Sequence, residues 1–169
     1  LDPSSAVADW VNRAAAAVKR TGDRKIVFAW PYSAFTWSGK DRAQVRWIER
    51  LSDDVQVLSN FDTGSPDPQT GAGVYFYDYN IKSVGPSDTF REQTAALARR
   101  GRNIYAKTES STTPSVFFTA YVPVHFRWHR RFQEMAEIGA AGYVNQWFFS
   151  GNRDTPPEEL QYHAVWEPG

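Results

Sequence analysis

Three amphipathic stretches of this chain each end at a glycine, Gly22, Gly101 and Gly139, and each passes within four residues into an apolar run of strand character. That recurrence constrains the chain to an α/β layout. A glycine closing a helix adopts the left-handed turn that sends the backbone back along a strand, and repeated helix-to-strand units bury their apolar faces against one another.

The elements follow from caps and periodicity. Asp2 with Ser4 or Ser5 caps a first helix whose Val7, Trp10, Val11, Ala14 and Val18 keep helical spacing, and a strand Lys25–Trp30 follows, broken by Pro31. Asp41 caps a second helix carrying Val45, Ile48 and Leu51, which feeds the strand Val55–Asn60. A loop rich in Gly, Pro, Asp and Thr then leads from Thr63 to Gly73, ahead of the aromatic run Val74–Tyr79. At about eleven residues it lacks room for a crossover helix, so the run is expected to be a hairpin excursion, with a strand reached by an irregular loop as the alternative. Pro86 or Ser87 opens a third helix in which Phe90, Thr94, Leu97 and Ala98 share a face, and the strand Asn103–Lys107 comes next. After a loop from Thr108 to Pro123, a fourth helix is expected to bury Trp128, Phe132, Met135 and Ala136 before the strand Tyr143–Phe148. Thr155 to Gly169, with Pro156-Pro157 before Glu158, reads as a short last helix.

The expected fold is a partial (β/α)8 TIM barrel: about four parallel strands with covering helices, plus the hairpin excursion. Residues 1–169 form one domain, taken as the C-terminal half of a barrel because the chain starts inside a helix. An open four-stranded α/β sheet is the competing layout. Apolar residues make up 41% and charged residues 22%, which suits a globular core. Nineteen basic and nineteen acidic side chains cancel, and no Lys or Arg run exceeds two, so a nucleic-acid partner is not expected. No apolar stretch approaches the roughly 20 residues that cross a bilayer, so neither is a membrane partner. The absence of cysteine excludes a disulfide framework, a thiolate metal site and a Cys nucleophile, and leaves the compartment open.

Aromatic residues reach 15%, with seven Trp, more than a core of this size needs, so some rings are expected to face a ligand. Four strands also end at side chains that sugars favour: Tyr32, Asn60 with Asp62, Lys107 with Glu109, and Gln146 with Trp147. In a (β/α) architecture the carboxyl ends of parallel strands open onto one face, so such groups converge on one pocket.

Further segments carry a family resemblance. Asp78-Tyr79 through Gly85-Pro86, Ala98-Arg99-Arg100-Gly101, Ile104-Tyr105-Ala106-Lys107-Thr108-Glu109, Thr112-Thr113, Tyr121-Val122-Pro123-Val124 and Gly139-Ala140-Ala141-Gly142-Tyr143, with Trp147 and Gly151-Asn152, together resemble the C-terminal half of a TIM-barrel glycoside hydrolase. The nearest groups are the barrels of family 20 hexosaminidases, family 67 α-glucuronidases and the family 163 enzymes that act on N-glycans. The resemblance spans most of the chain from about Lys25 onward. It implies a carbohydrate substrate, no cofactor, a secreted or periplasmic setting, and the remainder of the parent chain as a partner that supplies the missing barrel half. It also implies that the general acid often stands at an earlier strand, in that other half.

Glycosidic cleavage needs one protonated carboxyl for the leaving oxygen and a second carboxylate, or a substrate amide held by one, for the oxocarbenium-like centre. Glu109, just past a strand end beside Lys107, is the first candidate, as nucleophile or base; the plain alternative is a Lys-Glu pair that orders the loop. Asp62 is the second, against an ordinary turn-forming role before Thr63-Gly64. Asp78 is expected to contact substrate or to bond structurally. Trp147 is expected to stack on a sugar ring with Asn145 reading hydroxyls beside it, against a core Trp that closes the barrel bottom. Alternation sends Asn145 and Trp147 to one face and Gln146 to the other. Trp30, Tyr32 and Trp37 offer a second platform, and Tyr75, Tyr77 and Tyr79 a wall. A non-catalytic carbohydrate-binding module would use the same aromatics, and a packing half would only fill core with them.

His125 and His129 have metal-ligand spacing, but no acidic residue completes a zinc pattern, so no metal site is expected. Arg127, Arg130 and Arg131 read as the solvated face of the fourth helix. Gly71-Ala72-Gly73 lacks the Lys-Ser/Thr of a phosphate loop and reads as spacing.

Overall fold

The computed structural model describes residues 2–22, 24–32, 38–41, 43–65, 82–108, 124–145, 159–160 and 162–164. Helix and strand alternate along them: α1 (Pro3–Lys19), β1 (Val27–Ala29), α2 (Val45–Arg50), β2 (Val55–Asn60), α3 (Asp88–Ala98), β3 (Tyr105–Thr108), α4 (His125–Glu137) and β4 (Gly142–Asn145). The strands pair in parallel as one sheet in the order β1-β2-β3-β4, so the α/β class and the four parallel strands are as expected. The expected hairpin over 74–79 lies outside the described residues.

Local chemistry explains the helix ends. Asp2 stands at the N-cap of α1 with Pro3 at the first helical position, where the missing N–H costs nothing. The Ser5 hydroxyl donates to Asp2 Oδ2 at 2.7 Å and holds that carboxyl below its ordinary value. Ser87 caps α3 by accepting from Phe90 N at 3.2 Å. Gly101 and Gly139, at φ +65 and +73, take the left-handed turn that closes α3 and α4. Beyond them Arg102 N donates to Leu97 O at 3.1 Å and Ala140 N to Met135 O at 3.0 Å. These bonds satisfy carbonyls that a bare helix end would leave open.

The N-cap of α2 is Gln44, with left-handed backbone, and not Asp41 as expected. Asp41 still serves the same end from outside the helix, accepting from Arg46 N at 3.2 Å and Trp47 N at 3.3 Å, and from the buried Ser4 hydroxyl of α1 at 3.0 Å. A six-residue helix cannot hold itself together in water, and this carboxylate ties it to α1.

The pairing registers sort the strand side chains into two faces. Val27 and Ala29 of β1 sit beside Val55 and Val57 of β2, while Ser59, Ala106 and Tyr143 line up across β2, β3 and β4. On this side Ala29, Val55, Val57 and Ala106 form one core with Ala8 and Ala15 of α1, Trp47 and Ile48 of α2, Phe90 and Leu97 of α3, and Met135 of α4. The other side carries Phe28, Leu58 beside Tyr105, and Asn60 beside Lys107 and then Val144. Phe28 and Tyr105 meet edge to face there, 5.0 Å between centroids.

Two expectations for α4 need correction. Ala136 is exposed, and Arg131, expected on the solvated face, is buried at 1% exposure. Arg131 lies three residues after Trp128 and four before Met135, so helical geometry places it in the buried stripe, and a hydrogen-bonded ion pair lets it remain there.

Candidate functional site

At the carboxyl ends of the strands the described side chains form two clusters, one above each face of the sheet. On the face away from the helices, Trp30 follows β1 directly and its indole Nε1–H donates to Asn60 Oδ1, at the end of β2, at 2.6 Å. Asn60 Nδ2 in turn donates to Thr63 Oγ1 at 3.1 Å. Lys107, the register partner of Asn60 on β3, is buried, with Nζ 5.8 Å from the centre of the Trp30 ring. Tyr32 packs on Trp30 at 4.9 Å between centroids, inclined 51°, and stays 44% exposed. The cluster thus gathers an exposed phenol ring, an indole anchored by its N–H, a buried amide and a buried ammonium at the ends of three adjacent strands. The exposed Tyr32 ring, backed by the partly buried Trp30, can stack on an apolar sugar face.

The second cluster joins the strand ends to α4. Arg131 donates through Nη1 to Thr108 Oγ1 at 3.0 Å and through Nη2 to Asp62 Oδ2 at 3.2 Å and Ser83 O at 2.5 Å. Its guanidinium lies 4.1 Å from the centre of the Trp128 ring. Asp62 is 3% exposed and Arg131 1%, so the pair is closed off from solvent. A buried acid beside a fixed guanidinium is well suited to holding α4 against the ends of β2 and β3.

The expected site residues divide accordingly. Trp30, Tyr32 and Lys107 come together, and Asp62 is engaged by Arg131 in the buried pair. Asn145 is the register partner of Thr108, whose hydroxyl bonds Arg131, so it lies on the helix side of the sheet and not beside Lys107, which pairs with Val144. Glu109, Asp78, Trp147, Gln146 and Trp37 lie outside the described residues, as do Tyr75, Tyr77 and Tyr79.

Sequence reasoning placed Asn60 among the strand-end groups without giving it a role of its own, and took Arg131 for a surface charge. Both had a signal. Asn60 ends an apolar strand two residues before Asp62, and Arg131 is a charge at the spacing of an apolar stripe.

His129 Nε2 stands 3.1 Å from the Gln133 amide, and the His125 ring packs on Phe126 at 4.4 Å. Among the described residues no group of three or more His, Asp or Glu could hold a metal ion, and no helix is long and apolar enough to cross a membrane. Comparison with family models, with curated proteins and with solved structures finds no match for this chain.

Proposed function

We propose that this chain is part of a glycoside hydrolase catalytic barrel that binds and hydrolyses glycosidic bonds in oligo- or polysaccharides, with the rest of the parent chain completing a (β/α)8 barrel. The observation that carries this reading is the gathering of Trp30, Tyr32, Asn60 and Lys107 at the carboxyl ends of parallel strands, on the face away from the described helices, with Tyr32 exposed. The sheet order supports it. Because crossovers are right-handed, a chain that steps from β1 to β4 always in the same direction lays its helices on one face, as a barrel segment does. A doubly wound sheet would reverse direction at a switch point.

In this reading Tyr32 and Trp30 form the stacking platform, and Asp78 and Trp147 contribute further contacts, while Asn145, on the helix side of the sheet, does not. Glu109 follows β3 immediately and serves as nucleophile or base, with the acid supplied by the other half of the barrel. Replacing Glu109 by Gln in the full-length parent removes the carboxylate at almost constant shape. Hydrolysis of 4-nitrophenyl hexosaminides and glucuronides should then fall by about 10²- to 10⁴-fold. An unchanged rate means that Glu109 takes no part.

A non-catalytic carbohydrate-binding module is the second reading, and the burial of Asp62 against Arg131 favours it by committing one of the two candidate carboxylates to structure. Saccharide binding by a parent that hydrolyses none of these substrates would decide for it.

A further inference from the structure

An indole on a strand end can turn about two side-chain bonds, and a stacking platform works only if that freedom is removed before the ligand arrives. Asn60 removes it. Its side chain has one acceptor oxygen and two donor hydrogens. The oxygen takes the Trp30 Nε1–H at 2.6 Å and the nitrogen gives to Thr63 Oγ1 at 3.1 Å, so opposite ends of the amide are held. Asn60 is itself buried and sits on β2 in register with Lys107, which fixes its backbone from the neighbouring strand. Trp30 is only partly buried, and the ring that reaches solvent above it is Tyr32, inclined at 51°. The orientation of the exposed phenol therefore depends on the indole below, and the indole on the amide.

We infer that Asn60 is a positioning residue, which, through the Trp30 N–H, sets the angle at which Tyr32 and Trp30 meet a sugar ring. This rests on the carbohydrate reading above. A platform fixed in this way favours a pyranose with a continuous C–H face, as in β-linked gluco-configured chains, over one interrupted by axial hydroxyls.

Nuclear magnetic resonance of the chain tests it, with the Trp30 Nε1–H resonance identified by its loss in Trp30→Phe and with cellotriose and chitotriose as probes. Asn60→Ala should move that resonance and speed its exchange with solvent, and should weaken binding about tenfold, the equivalent of roughly 1.4 kcal/mol. Asn60→Asp, which keeps an acceptor oxygen for the indole, should restore the resonance and most of the binding. Thr63→Val, which frees only the other end of the amide, should shift both in the same direction by less, and it covers the case of an Asn60→Ala chain that fails to fold. Tyr32→Ala should abolish binding while the indole resonance keeps its slow exchange. The inference is overturned if Asn60→Ala or Thr63→Val binds like the wild type, or if the indole signal does not move. A wild-type chain that binds neither trisaccharide, yet shows the indole shift in Asn60→Ala, overturns the carbohydrate reading instead.

Discussion

Arg131 joins several elements through one buried side chain. It bonds a strand hydroxyl, a carboxylate and a backbone carbonyl, and it rests on an indole. Removing one member of a buried pair leaves the other charged and desolvated, at a cost of about 3–5 kcal/mol. Asp62→Ala should therefore lower the urea midpoint of unfolding by that equivalent. Because the two residues touch, Asp62→Ala combined with Arg131→Ala should cost clearly less than the sum of the single changes. An Asp62→Ala chain of wild-type stability would remove the structural role and return Asp62 to the catalytic candidates. Hydrophobic spacing marked position 131 as inward-facing, while its charge suggested solvent. The two signals conflicted, and only the carboxylate from a loop 69 residues away resolves them.

At the scale of elements, the helices differ in what holds them. Ser87 accepts from Phe90 N within its own turn, and its own N–H donates to Phe61 O at 2.8 Å, so the start of α3 is fixed to the chain leaving β2. Ser87→Ala should destabilise the fold by about 1 kcal/mol, measured by chemical unfolding. A loss far below that would mean that Phe61 alone holds the entry to the helix. The short α2 depends instead on its neighbours. Asp41 accepts from its first amides, Arg100 donates to Ile48 O and Glu49 O at 3.1 and 3.3 Å, and Asn12 of α1 donates to Arg50 O at 2.9 Å. Apolar spacing at Val45, Ile48 and Leu51 was enough to locate this helix in the sequence. Asp41 was legible as the residue serving its start, whereas the groups that hold its end, Asn12 and Arg100, come from elements that folding alone brings near. The same holds for the strands: β2 matches its expected span at both ends, whereas β1 is Val27–Ala29 where Lys25–Trp30 was expected. A strand extends only as far as its neighbour can pair with it, and β1 pairs with β2 over three residues.

For the whole molecule, burial couples stability to alkaline pH through Tyr143. Its ring packs on Phe132 at 5.4 Å, and burial, with a smaller contribution from Tyr162, pushes the phenol above its ordinary value. Since the folded chain holds this proton more tightly than the unfolded chain, the contribution is complete below the ordinary tyrosine value of about 10 and is lost as pH rises through the folded one. Urea midpoints measured from neutral pH upward should therefore decline above about pH 10, and Tyr143→Phe should flatten that decline. A decline of equal steepness in the variant would assign it to other groups.

The alternation of helix and strand was written in the sequence, in apolar periods and in the glycines that close α3 and α4, because these record which side of a local element meets the core and where it turns back. The division of the strand-end residues was not. Lys107 and Asn145 look equivalent as polar groups near the ends of strands, yet pairing sets Lys107 beside Asn60, with Trp30 against it, and Asn145 beside Thr108 on the helix side. Register is decided by contacts between distant segments, and a shift of one residue exchanges the faces, so only the tertiary structure could assign each side chain to its cluster.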